Sequence, residues 1–105
     1  MTDKSQPTNV QIQIDKLIHE PARLKLLAQL YVVDSADFLF LMRQTGLTQG
    51  NVSGHLSKLE KAEYVRIEKG YVGKRPQTII ALTDKGRNAF KHYVQNMKEV
   101  FDGLI

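Results

Sequence analysis

LTQGNVSGHLSKLEKAEYV, residues 47–65, has the apolar spacing of an amphipathic helix and two glycines that a helix ordinarily avoids. Val52, Leu56 and Leu59 recur at helical intervals. Thr48 is a good N-cap residue, and Leu47 before it is placed to staple onto Val52. Gly50 and Gly54 each cost a helix interior about 1 kcal/mol relative to alanine. At about 100° per residue the three apolar side chains form one seam, and the glycines fall opposite it. Their neighbours on that side are Asn51, Ser53, Ser57, Lys58 and Lys61, which make a shallow, polar and basic surface. A helix glycine usually admits close packing inside a core, and these two lie on the wrong side for that. His55 sits on the border between seam and polar face, equally suited to partial burial and to a phosphate contact.

Outward from this helix the other elements follow in order. Upstream, FLFLMRQ ends at Gly46, the residue type that closes a helix in the left-handed conformation. DSAD at 34–37 is expected to cap that helix, with Asp34 or Ser35 accepting a first-turn N–H and Asp37 at its positive end. Two helices thus meet across a short turn, a helix-turn-helix over about residues 35–62. EPARLKLLAQLYVV predicts a central core helix with Pro21 in its first turn. Its apolar face holds Leu24, Leu26, Leu27, Leu30, Tyr31 and Val33. VQIQIDKLIH at 10–19 reads as a short helix, although Val10, Ile12 and Ile14 also alternate like a strand. Residues 1–9 read as a polar, disordered tail without the apolar stretch of a signal peptide. Downstream, YVRIEK (64–69) and TIIALT (78–83) predict two strands joined by a loop, GYVGKRPQ, with a basic tip at Lys74 and Arg75. This hairpin, about 64–83, precedes a final helix over about 84–105, capped by Thr83 or Asp84. The whole is one domain from residue 10 to 105, mainly α with a small β-hairpin: a winged helix-turn-helix.

Charge points the same way. The chain carries a net charge of +4 over 105 residues. From Arg43 to Arg75 there are seven bases and three acids, while the rest of the chain balances at eight of each. No acid occurs from Phe38 to Leu59, nor from Lys69 to Thr83. A polyanion is the natural partner of such a window, and a merely solvated basic face is the alternative. A helix that presents its glycines outward suits the DNA major groove, where backbone must come close to base edges. Gln49 and Asn51 are amides of the type that pairs with adenine, near the helix N-terminus that reaches bases. Thr48, Ser53 and Ser57 are candidate hydroxyl donors, Gly50 and Gly54 the clearance, and Lys58 a phosphate partner. Lys74 and Arg75 would meet the backbone or enter the adjacent minor groove. The alternatives are a helix tolerating exposed glycine and a solubilising hairpin tip.

Three further matches make the likeness specific. Gly50-Asn51, Ser53, His55-Leu56 and Lys58-Leu59-Glu60 match a GN-x-S-x-HL-x-KLE segment. Gly73-Lys74-Arg75-Pro76-Gln77-Thr78 matches a wing reading roughly GRKP-x-T, and Leu82-Thr83-Asp84-Lys85-Gly86-Arg87 matches LT-x-x-GR. From about Leu17 onward the chain resembles the compact winged-helix transcriptional regulators of bacteria and archaea related to the MarR and ArsR groups. The resemblance implies a dimeric, sequence-specific DNA-binding protein. One departure stands out: Glu63 occupies a position where the family normally has glycine. A left-handed residue there would cost glutamate about 1 to 2 kcal/mol.

On the last helix Phe90, Tyr93, Val94, Met97, Val100, Phe101, Leu104 and Ile105 fall in one arc. Packing onto the domain's own core is one use for this stripe. Its persistence to the final residue favours a two-fold homodimer, which would set two recognition helices about one DNA turn apart on a palindromic site.

Enzyme chemistry finds little support. His19, His55 and His92 form no ligand-spaced pair, and the glycines follow no phosphate-loop pattern. With no cysteine there is no disulfide, no Cys nucleophile and no thiolate metal sensing of the type known in the ArsR group. A His/Asp interface site using His92 is a minor alternative. No cofactor and no metal site are expected, and any small-molecule effector is unidentified. The longest apolar run, FLFLM, is far short of a membrane span, so a cytoplasmic protein is expected. The competing reading is a winged-helix protein-interaction module within a larger assembly. RNA is a weaker partner than DNA because no aromatic stacking platform is visible.

Overall fold

A computed structural model describes residues 13–104. Its elements are α1 (Pro21–Val33), β1 (Ser35–Asp37), α2 (Phe38–Thr45), α3 (Gln49–Lys61), β2 (Val65–Val72), β3 (Arg75–Leu82) and α4 (Asp84–Asp102). The three strands form one antiparallel sheet in the order β1-β3-β2. A single cluster unites the helices and the sheet. Leu26, Leu27 and Leu30 of α1 meet Leu41, Val52, Leu56, Leu59, Val65, Ile80 and Phe90 there. The central place of α1 follows from its leucines, although Val33 at its end is exposed.

Three expectations need correction. Over residues 13–19, the described part of the expected first helix, the chain is not helical. Asp15 Oδ1 accepts from the N–H groups of Leu17 (2.9 Å) and Ile18 (3.2 Å) and closes a turn instead. Aspartate offers the backbone this alternative to a helix, and Pro21 then forces Glu20 into an extended conformation. Ile18 is nevertheless fully buried, with Ile14 and Leu17 packed on the core. Residues 1–9, Val10 and Ile12 lie outside the described residues. Second, DSAD is not simply a cap. Ser35–Asp37 forms a third strand, pairing Ser35 with Ala81 and Asp37 with Ile79, and only Asp37 caps α2, accepting from Phe40 N at 2.9 Å. Third, the strands of the wing reach further into the expected loop, although the hairpin keeps the span read for it. Strand pairing continues to Val72 and Arg75, leaving a two-residue turn at Gly73 and Lys74. Gly73 has φ 63°, the positive angle such a turn requires and glycine supplies freely. Pro76 is tolerated because β1 pairs only with Ile79–Ala81, so its missing N–H faces an open edge.

Several expected caps are present. Gly46 is left-handed at φ 72° and donates to Met42 O. Thr48 Oγ1 accepts from Asn51 N at 3.2 Å, and Thr83 Oγ1 accepts from Gly86 N at 2.9 Å. The LT-x-x-GR residues acquire physical roles here. Gly86 packs so closely under β2 that a β-carbon would collide with the Tyr64 carbonyl oxygen and lie 2.8 Å from its carbon. Arg87 stacks 4.9 Å from the Tyr31 ring centroid and pairs with the Asp34 carboxylate, tying α4 to the end of α1.

Glu63 is left-handed, with φ 66°. Tyr64 N donates to Leu59 O and Glu63 N to Glu60 O, both at 2.9 Å, which is the bond pair of a Schellman ending. The chain therefore makes the turn that glycine favours while carrying a glutamate.

Candidate nucleic-acid interface

The seam on α3 is buried: Val52 and Leu59 are 0% exposed and Leu56 is 1%. Its opposite face is open. Gln49, Gly50, Asn51, Ser53, Gly54, Ser57 and Lys58 are all exposed, as are Thr48 before them and Lys61 after them. A methyl group added at Gly50 or Gly54 would meet nothing within 4 Å. No packing among the described residues calls for glycine at either position.

On one flank of that face a trough of about 660 Å³ separates α3 from the wing. Gln49, Ser53, Ser57 and Glu60 form its helix wall, and Ile67, Lys69 and Thr78 its wing wall. The structure thus brings Gln49, Ser53 and Ser57 together with two polar wing residues, Lys69 and Thr78, that were not among the expected contacts. The period-two alternation from Val65 and Ile67 already placed Lys69 on that face. Asn51 and Lys58 stand on the other flank of the helix, beyond the glycines. Lys74 and Arg75 are exposed at the wing tip.

His55 is resolved as a partly buried side chain tied to α1. Arg23 donates from Nη1 to its Nδ1 at 3.1 Å, and Glu20 Oε1 lies 3.8 Å from the same nitrogen. Because a guanidinium only donates, the neutral ring carries its hydrogen on Nε2. Arg23 Nε also donates to Leu17 O at 2.5 Å, so one arginine links the N-terminal turn, α1 and α3. Glu20 caps α1 by accepting from Arg23 N at 2.9 Å. That backbone bond, with the nearby Arg23 guanidinium adding to it, holds its carboxyl below the ordinary carboxylate range. The same kind of bond, from Phe40 N, lowers Asp37.

Under the wing root, Tyr64 donates to Asp15 Oδ2 at 2.6 Å. Burial, and then this bond to a carboxylate, push the phenol up to about 12, so it remains neutral and donating. His19 Nδ1 lies 2.8 Å from the Tyr93 hydroxyl, and Asn96 Nδ2 donates to Gln13 O at 2.8 Å. Burial alone raises Tyr93. Together these bonds strap the N-terminal segment over α4 and the start of β2.

The apolar stripe of α4 divides in two. Phe90 (7% exposed) and Tyr93 (5%) are buried in this domain's own core, and Met97 packs against it, so these residues do not form a free surface. The outer part remains uncovered: Val94 is 43% exposed, Phe101 53% and Leu104 78%. The helix itself ends at Asp102 rather than continuing to the last residue, which lies outside the described residues.

Comparison with known proteins agrees with this geometry. Residues 22–101 match the family model described as a winged helix DNA-binding domain. The chain belongs to that family. As a winged-helix domain it is 38% identical over 85 residues to an uncharacterized protein of Methanocaldococcus jannaschii, spanning 81% of this chain and 92% of the relative. The structure of a transcriptional regulator homologue from Pyrococcus horikoshii OT3 superposes with a TM-score of 0.83 at 29% identity, covering 90% of this chain and 94% of that one. A MarR-family regulator from Silicibacter pomeroyi shares the fold, with a TM-score of 0.67 at 23% identity over 91% of this chain and 64% of that one. The winged-helix architecture and the regulator relationship expected from the sequence therefore stand. Among the described residues no group of three or more His, Asp or Glu side chains is placed to hold a metal ion. No helix among them is long and apolar enough to cross a membrane.

Proposed function

We propose that this winged-helix regulator binds palindromic duplex DNA as a homodimer, with α3 in the major groove and the wing against the backbone or the adjacent minor groove. The observation that carries the reading is the open space over Gly50 and Gly54. A helix that accepts the cost of two glycines where nothing in its own domain requires them gains by close approach to something outside it. The exposed side chains around the glycines are amides, hydroxyls and lysines, which suit base edges and phosphates. Gln49 and Asn51 read bases, Thr48, Ser53 and Ser57 donate hydrogen bonds, and Lys58, Lys74 and Arg75 neutralise phosphates. The Thr48 hydroxyl oxygen already accepts from Asn51 N, which leaves its hydrogen for a phosphate.

The partner copy docks on the outer half of α4, through Val94 and Phe101, and on Leu104 just beyond it, with Val100 at the margin. Phe90, Tyr93 and Met97 support that surface from below. Two-fold pairing there sets the recognition helices about 34–36 Å apart, one turn of DNA.

Selection of bound sequences from random duplex DNA tests both halves of this reading. A palindromic consensus, with affinity falling steeply as salt rises, is the expected result. Replacing Asn51 by alanine should then cost about 1–3 kcal/mol and relax preference at one base position per half-site. Absence of duplex binding even at low salt would favour the protein-interaction module instead.

A further inference from the structure

The wing has one face that turns from core to surface along its length. Val65 at the root is 2% exposed and Ile67 is half-buried. Lys69 and Tyr71 follow at intervals of two, on the same side of the strand, and Tyr71 is 76% exposed. Their cross-strand partners are Thr78 and Pro76. Ile67, Lys69 and Thr78 already line the trough along α3, so Tyr71 extends the surface that faces the recognition helix. Toward the tip from Ile79 the described hairpin has only two strands, and among the described residues nothing covers the tyrosine ring.

We propose that Lys69 and Tyr71 make a separate DNA contact between the recognition helix and the wing tip. Lys69 meets a phosphate bordering the major groove, and the Tyr71 ring lies on the neighbouring deoxyribose with its hydroxyl toward the next phosphate. The proposal rests on the DNA-regulator reading. Duplex DNA is the occupant favoured by charge. The ring stands between Lys69 and the Lys74-Arg75 tip, in a stretch without a single acid from Lys69 to Thr83. A lone aromatic ring flanked by cations matches the alternation of apolar sugar and anionic phosphate along a DNA strand.

A purely structural role would also explain the ring, because a Tyr–Pro cross-strand pair stiffens a hairpin. The two roles differ in their response to salt. Losing a sugar contact weakens binding without releasing fewer counterions. Losing the shape of the wing takes the Lys74 and Arg75 phosphate contacts with it and flattens the salt dependence.

The test is fluorescence anisotropy of the full chain with a selected duplex, at several salt concentrations. It compares the parent with Tyr71→Ala, Lys69→Ala and Lys74→Ala. Tyr71→Ala is expected to bind about tenfold more weakly at every salt concentration with an unchanged log–log slope. Lys69→Ala should flatten the slope by about one phosphate contact. Parent-like affinity of Tyr71→Ala, or a slope that falls together with its affinity, overturns the proposal. If the parent binds and Lys74→Ala flattens the slope by about one phosphate contact while Tyr71→Ala does not behave as expected, this inference fails alone. If the parent binds no duplex, the regulator reading fails with it.

Discussion

Glycine appears in the interior of two helices here for opposite reasons. Gly54, like Gly50, stands on the outer face of α3 with nothing within 4 Å of the place a β-carbon would occupy. Gly86, in the first turn of α4, is buried against the Tyr64 carbonyl, and a β-carbon has no room there. On the proposed reading the first is clearance for a partner outside the domain; the second is a contact made within it. Residue type is identical in both, so the cause must be read from the face of the helix.

Substituting these positions should break the comparison if it is wrong. The largest effect belongs to Gly86→Ala, which must displace the Tyr64 backbone and should destabilise the domain by about 1–3 kcal/mol. For a domain of this size that lowers Tm by roughly 4–8 °C per kcal/mol, measurable by thermal or denaturant unfolding. An unchanged Tm would mean that α4 does not seat as closely as described.

Glu63→Gly comes next, and in the opposite direction. Glycine relieves the left-handed strain of about 1–2 kcal/mol, less the exposed Glu63–Lys85 pair (3.4 Å), which contributes little. A gain of about 1 kcal/mol in unfolding free energy is expected; no gain would place the closing strain elsewhere. Gly50→Ala and Gly54→Ala should each stabilise by about 0.4 to 1 kcal/mol, because helix geometry accepts alanine and the unfolded chain loses freedom.

The smallest effect is set by pH. The Asp37 carboxyl is lowered in the folded state by its bond from Phe40 N, so its stabilisation is present above its ordinary range near 4. That contribution is lost as pH falls through the lowered value. Asp37→Asn keeps a capping oxygen but no charge, so the Tm difference between parent and variant should shrink from pH 6 to pH 2. Tyr64 has the reverse sign. Its raised value of about 12 means its contribution is whole below pH 10 and fades as pH climbs toward 12.

What was legible in the sequence was what local chemistry decides. The seam of Val52, Leu56 and Leu59, the caps at Gly46, Thr48 and Thr83, and the strand character of Ile79-Ile80 all follow from periodicity and side-chain hydrogen bonding. Long-range partners were not legible. Ser35–Asp37 becomes a strand because β3 offers it an edge, and three residues carry no period of their own. Asp15 closes a turn where apolar spacing suggested a helix, and its second oxygen serves Tyr64, 49 residues away. The buried role of Gly86 needed the position of Tyr64. The α4 stripe looked uniform because an arc records a face and not what covers it. Only the packed domain separates Phe90 and Tyr93, turned inward, from Val94 and Phe101, left outside. Of the proposed DNA surface, the α3 face could be read by angle alone. The wing's inner face needed the longer β2, since a strand ending at Lys69 never reaches Tyr71.

The most direct test of the central claim pairs two readings on one variant: the unfolding free energy of Gly54→Ala and its affinity for a selected duplex. If the outer face of α3 is held open for DNA, the variant melts higher than the parent and binds the duplex more weakly. A variant that melts lower and binds as well as the parent would contradict this, and would return both glycines to the service of the fold.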